Sequence, residues 1–287
     1  MDINIINRNL YRSRQWRNKI SIVFAFFMAV FGLFWLFWIL YTLVSRGFST
    51  LSLAVFTVNT PPPGGTGGLA NAIIGSLILT AVATLIATPL GILAGTYLSE
   101  YGRKSRFSFV VGFINDILIS APSIVIGLFI YAIYVVNVGH FSGWAGSFAL
   151  ALIMLPVIVR TTEDMLRLVP DSLREAAFAL GAPQWKVVIF IVYRGVTAGI
   201  MTGILLGVSR ISGESAPLLF TALNNQFWST NMNAPMANLP IVIFQFAMSP
   251  YENWQNLAWA AALLITLFVL SLDILARFAL QSRSSHH

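Results

Sequence analysis

Asp171-Ser172-Leu173-Arg174-Glu175-Ala176-Ala177-Phe178-Ala179-Leu180-Gly181-Ala182-Pro183 is a short polar run set between two long apolar stretches. The pattern predicts a small helix closed at both ends. Ser172 caps the first turn, and Glu175, three residues on, returns the bond to the Ser172 amide. Gly181 supplies a left-handed stop and Pro183 prevents continuation. A helix of about two turns does not persist on propensity alone, so this one needs a docking surface.

The sequence on either side defines the class. Apolar residues make up 57% of the chain and charged residues 9%, and the mean hydropathy is +0.79. A soluble domain carries roughly 25% charged residues. The expected fold is therefore an all-α integral membrane protein. Six segments are long enough to cross about 30 Å of hydrocarbon: Ile20–Val44, Leu69–Leu98, Phe107–Val136, Trp144–Val159, Gly195–Leu223 and Asn256–Ala279. The fourth is short unless it extends as helix into the following polar turn. Leu239–Met248 contains Pro240 and is too short to span, so it reads as an interfacial or re-entrant element. This divides the chain into an N-terminal segment 1–19, a six-helix domain 20–281 carrying the short helix at 172–181, and a tail 282–287.

Basic residues orient the spans. Arg8, Arg12, Arg14, Arg17 and Lys19 precede the first, and Arg103, Lys104 and Arg106 separate the second from the third. Arg160, Arg167, Arg174, Lys186 and Arg194 fall between the fourth and fifth, and Arg277 and Arg283 lie at the end of the sixth. The other side has Arg46 alone outside a span. By the positive-inside rule both termini and the polar run are cytoplasmic. The net charge of +7 is thus a topology signal and not a nucleic-acid footprint. The first span reads as a retained anchor, because Leu43-Val44-Ser45-Arg46 offers no small-x-small cleavage site. Thr60-Pro61-Pro62-Pro63-Gly64-Gly65-Thr66-Gly67-Gly68 reads as an external spacer.

Several chemistries lack their parts. There is no cysteine, no phosphate-binding G-x-x-x-x-G-K-[ST] loop, no H-E-x-x-H and no G-x-S-x-G. His140 is the one histidine away from the C-terminus. No catalytic residue and no metal site is expected, and ATP, if used, must be bound by another chain.

Charges inside the spans mark the candidate site. Arg210 and Glu214 are four residues apart, which on a continuous helix puts them on one face. Either they form a structural ion pair, or Arg210 lines a path for an anion, to which its planar, permanently charged fork is suited. Glu214 then holds or tunes the arginine. Asp116 lies in the first turns of the third span, where it reaches water or pairs with Arg160. Arg160, ending the fourth span, either lines an inner exit or anchors the helix. Pro89 and Pro156 interrupt two spans without defining hinges, and Trp35, Trp38, Trp144, Trp254 and Trp259 read as packing or interface anchors.

Glu175-Ala176-Ala177, then Gly181 and Ile191, resembles the EAA loop of ABC-importer permeases. Gly213-Glu214-Ser215-Ala216-Pro217-Leu218-Leu219-Phe220-Thr221-Ala222 is similar to phosphate-importing members of that family. So are Asn225-Gln226-Phe227-Trp228-Ser229-Thr230, Phe246-Ala247-Met248-Ser249-Pro250, Glu100-Tyr101-Gly102-Arg103-Lys104 and Ser120-Ala121-Pro122-Ser123. The loop departs from the family where Tyr193-Arg194 replaces a leucine–proline pair. The resemblance implies a type I ABC importer (MetI-like) permease fold in a bacterial inner (plasma) membrane, moving phosphate by alternating access. It implies a heterodimer with a second, related permease, two ATPase subunits that carry ATP and Mg, and a periplasmic phosphate-binding protein; this chain itself binds no cofactor. Glu175, Ala176, Ala177 and Gly181 become coupling residues, joined by Ser172, Arg174 and Leu180 on the same element, and Arg210, Glu214, Arg160 and Asp116 become pathway residues. A permease for sulfate or molybdate shares every physical feature above. A passive anion channel or scaffold is the remaining alternative and needs no ATPase.

Overall fold

The computed structural model describes residues 3–102 and 105–284. Arg103, Lys104 and Ser285-His286-His287 lie outside the described residues, as do the side chains of Arg8 and Arg283. The described residues form helices α1 (Ile3–Thr50), α2 (Leu53–Thr57), α3 (Ala70–Tyr101), α4 (Arg106–Ser120), α5 (Ser123–Val138) and α6 (Gly143–Arg167). There follow α7 (Asp171–Ala179), α8 (Gln184–Ser212), α9 (Ala216–Leu219), α10 (Leu239–Ala247) and α11 (Glu252–Ser284). Single π-type turns widen α3 at Tyr97–Tyr101, α5 at Tyr131–Val135 and α8 at Val188–Val192.

Five of these helices are long and apolar enough to cross a membrane. The expected third span is not one helix: α4 and α5 meet at 108°. Pro122 disfavours helical ψ at the residue before it, and Ala121 accordingly sits at ψ 133°. Hydropathy does not register the break because both halves are apolar. The pair still makes one crossing. Ser105 and Ser108 share a cleft with Arg160 and Arg167 at one end of the bundle, whereas the Ser142 amide donates to Thr221 O at the other. Six crossings result.

The fourth span extends through the polar turn as expected, running to Arg167. The fifth differs from expectation: α8 starts at Gln184, eleven residues before Gly195, and stops at Ser212 instead of Leu223. α1 likewise starts at Ile3, so residues 3–19 continue into the first span. Both α3 and α6 run through their prolines without a break. The loop at residues 60–68 is not a free spacer. Thr60 N–H donates to Asn71 Oδ1 at 3.0 Å, and Gly68 N–H to Asn59 O at 2.9 Å, folding it onto the start of α3. α10 is capped by Asn238, whose Oδ1 accepts from Ile241 N–H at 3.1 Å, and buries Leu239, Ile241, Val242 and Phe246.

α6 is the centre of the bundle, burying Leu150, Met154, Ile158, Val159 and Leu166. Lipid provides no hydrophobic force between helices, so close backbone approach must hold them. Small residues supply it. A Cβ at Gly95 of α3 would stand 2.6 Å from Val159 O, and Gly203 of α8 lies directly on Thr161. α1 touches the bundle near its far end, where Gly47 abuts Leu263 and Arg46 lies over the Trp259 ring at 5.8 Å.

Candidate functional site: a docking helix and a polar cleft

α7 is the helix expected at 172–181, with one correction at its start. Pro170, in extended conformation (ψ 139°), occupies the cap, so Ser172 does not cap and the Ser172–Glu175 box does not form. Proline pre-sets the entry φ and needs no partner for a missing N–H. The far end behaves as read. Gly181 takes φ +79°, its N–H donates to Phe178 O, and Ala182 N–H donates to Ala177 O. These two bonds form a Schellman stop.

The helix has two faces. Ser172, Leu173, Glu175, Ala176, Phe178, Leu180 and Gly181 are exposed, and Leu180 is 89% exposed. Trp185, just beyond, is exposed as well. Arg174 and Ala177, expected among the coupling residues, point the other way and are buried. Ala177 packs with Leu166, Val169, Val187 and Val192.

Arg174 holds α7 to the bundle. Its Nη2 donates to Glu100 Oε1 at 2.6 Å and its Nε to Oε2 at 3.1 Å, a bidentate pair whose side chains are 7% and 5% exposed. The same guanidinium donates to Leu166 O and Val169 O, and to Asp171 Oδ1. The hydrogen bond to Glu100 is the main reason the Arg174 pKa lies above its ordinary value. Removing either partner leaves a buried charge uncompensated, at a cost of roughly 3–5 kcal/mol. Tyr193, the departure from the loop pattern, has a part as well: its hydroxyl lies 2.6 Å from Thr96 Oγ1 on α3.

At the same end, α4 and α6 enclose a polar cleft of about 260 Å³ lined by Asp116, Asn115, Arg160, Glu163 and Arg167 among others. Asp116 and Arg160 are brought together here, but Arg160 pairs with Asp164 at 3.3 Å and not with Asp116. Arg167 pairs with Glu163. Asn115, buried on the same wall, reaches Pro156 O at 3.5 Å through Nδ2 and leaves Oδ1 without a partner.

Arg210 and Glu214 lie elsewhere. α8 ends at Ser212, so Glu214 falls in the turn after it and the expected shared helix face does not exist. No ion pair joins them among the described residues. Arg210 is exposed in the last turn of α8, where the helix dipole favours a cation. Counting about 1.5 Å per residue, it stands roughly 24 Å along the helix from Arg194, near the opposite face. Sequence reading missed Asp273 of α11, which accepts from Ser209 Oγ at 2.9 Å beside Arg210. The rule that selected Asp116, a carboxylate inside an apolar span, would have found it.

Six apolar crossings, with a short helix exposed between the fourth and fifth, define a multi-pass membrane protein. The chain belongs to the family described as the binding-protein-dependent transport system inner membrane component, whose model matches residues 87–284. It is 61% identical to the phosphate transport system permease protein PstA of Pasteurella multocida (strain Pm70), over 96% of this chain and 98% of that protein. It is 58% identical to PstA of Haemophilus influenzae, over 96% and 99%. The MetNI methionine ABC transporter in an inward-facing conformation matches in fold, with a TM-score of 0.59 at 19% identity over 72% of this chain and 94% of that one. The fold is thus the MetI-like one. Membership makes this chain a non-catalytic permease subunit of an ABC importer, with an ATPase and a substrate-binding protein as its general partners.

Proposed function

We propose that the chain is the permease subunit of an ATP-driven phosphate importer, forming half of the translocation path and coupling to a separate ATPase through α7. The observation that carries the reading is a short helix that exposes Leu173, Phe178 and Leu180 and is fixed in place by a buried ion pair. Leu173, Phe178 and Leu180 have no reason to face water unless another protein covers them. The names of the relatives support phosphate as the cargo. The finer assembly is a heterodimer with a PstC-like permease, two PstB-like ATPases holding ATP and Mg, and a PstS-like periplasmic binding protein. The chain itself holds no cofactor.

The end bearing Arg160, Arg167, Arg174, Lys186 and Arg194 faces the cytoplasm of a bacterial inner membrane, by the positive-inside rule, with both termini on that side. Arg210 then stands toward the outer face, at the entry of the path, and the Asp116–Arg160 cleft at its inner exit. Each guanidinium is exposed on the helix that carries it. Exposure keeps binding weak enough to release the anion. The test is ATP-dependent phosphate uptake in proteoliposomes holding the complete complex, with sulfate and molybdate as competitors. Uptake that sulfate or molybdate suppresses as well as unlabelled phosphate does would assign the other oxyanion.

A further inference from the structure

We infer that Glu100, Arg174 and Tyr193 form a clasp that carries displacement of α7 into α3, which makes Glu100 and Tyr193 positioning residues for coupling. The inference rests on the reading of α7 as the ATPase-docking helix. Helix connectivity alone does not transmit a push on α7. Pro170 interrupts the chain before it, and Gly181 and Pro183 interrupt the chain after it, so neither joint is helical. Force must therefore pass sideways.

Besides the contacts that Arg174 and Ala177 make with the end of α6, the polar sideways connections meet at one turn of α3. Arg174, from α7, grips the Glu100 carboxylate with two bonds. Gln184, at the first residue of α8, donates to the Glu100 carbonyl at 2.9 Å. Tyr193, further along α8, meets Thr96 one turn back on α3. Residues 174, 184 and 193 thus all hold positions 96–100. From there α3 runs unbroken to Ala70, seated on α6 through Gly91 and Gly95. Both helices carry a π-type turn at the clasp, at Tyr97–Tyr101 and Val188–Val192, a feature that recurs at functional sites. A pair that only stabilised the fold would explain the burial of Arg174, but not the convergence of three contacts, from α7 and from two points on α8, on the end of α3.

The experiment measures ATP hydrolysed per inorganic phosphate taken up by the reconstituted complex. Because the chain contains no cysteine, Glu100→Cys/Arg174→Cys can be bridged by a bis-maleimide. The expected result is assembly with the ATPase, a ratio raised above that of the unaltered complex while unbridged, and return toward the unaltered ratio once bridged. Tyr193→Phe, which removes a single hydroxyl, is the second variant and raises the ratio in the same direction should the cysteine pair fail to assemble. An unchanged ratio in assembled unbridged or Tyr193→Phe complexes overturns the clasp, as does a raised ratio that bridging leaves raised. Absence of ATP-driven phosphate uptake by the unaltered complex overturns the functional reading and the clasp together.

Discussion

Ser209 donates its hydroxyl to Asp273 at 2.9 Å, tying α8 to α11 at the residue before Arg210. Such interhelical bonds contribute about 0.6 kcal/mol in membranes, and at most about 1.7. Ser209→Ala is expected to lower unfolding free energy by that amount in detergent. Asp273→Asn, which keeps an acceptor, is expected to lower it less. Equilibrium unfolding of both variants decides the point, and a larger loss from Asp273→Asn would assign the stabilisation to charge.

Arg210 has no carboxylate partner among the described residues, so its removal is expected to disturb transport without disturbing the fold. Arg210→Ala should abolish phosphate uptake while copurification with the ATPase stays intact, and Arg210→Lys should retain a small fraction. Glu214→Gln should have the smaller effect of the two positions, because the turn after Ser212 separates it from Arg210. Normal uptake by an assembled Arg210→Ala complex would remove the arginine from the path.

Close backbone approach predicts which glycines tolerate a side chain. Gly95→Val and Gly203→Leu force side chains into Val159 and Thr161, and overpacking of this kind costs about 1–3 kcal/mol. Gly112→Ala, with nothing within 4 Å of the added carbon, is the control. Thermal unfolding in detergent should separate the first two clearly from the third.

What could be read from the residues follows from which physics leaves a local mark. Hydropathy located every crossing, since lipid selects on composition alone. It missed the 108° break at Ala121–Pro122, because the helices on both sides of the break are apolar. It placed Gly195 as the start of the fifth span because Lys186 and Arg194 look like loop, although Val187, Val188 and Val192 are buried on one side of a continuous helix. The Gly181 stop was legible as a single-residue requirement, whereas the Ser172 cap failed because Pro170 already occupied that position. Arg174 read as a coupling residue, and its burial against Glu100, 74 positions away, has no signature in local spacing.

The left-handed turn at Gly181 makes a further prediction. At φ +79° a Cβ costs roughly 1–2 kcal/mol, so Gly181→Ala should loosen the C-terminal stop of α7 and weaken ATPase copurification. Gly181→Asn should be better tolerated, since asparagine adopts this conformation more readily. Equal retention of the ATPase by both variants and the unaltered chain would show that the stop does not set the docking surface.

The most direct test of the central claim is radiolabelled phosphate uptake by proteoliposomes containing this chain, a PstC-like permease, PstB-like ATPase and PstS-like binding protein. The proposed function predicts uptake that requires ATP and the binding protein, resists excess sulfate, and is lost when the docking surface is altered by Leu180→Asp. Uptake that proceeds without ATP, or that survives Leu180→Asp unchanged, would contradict it.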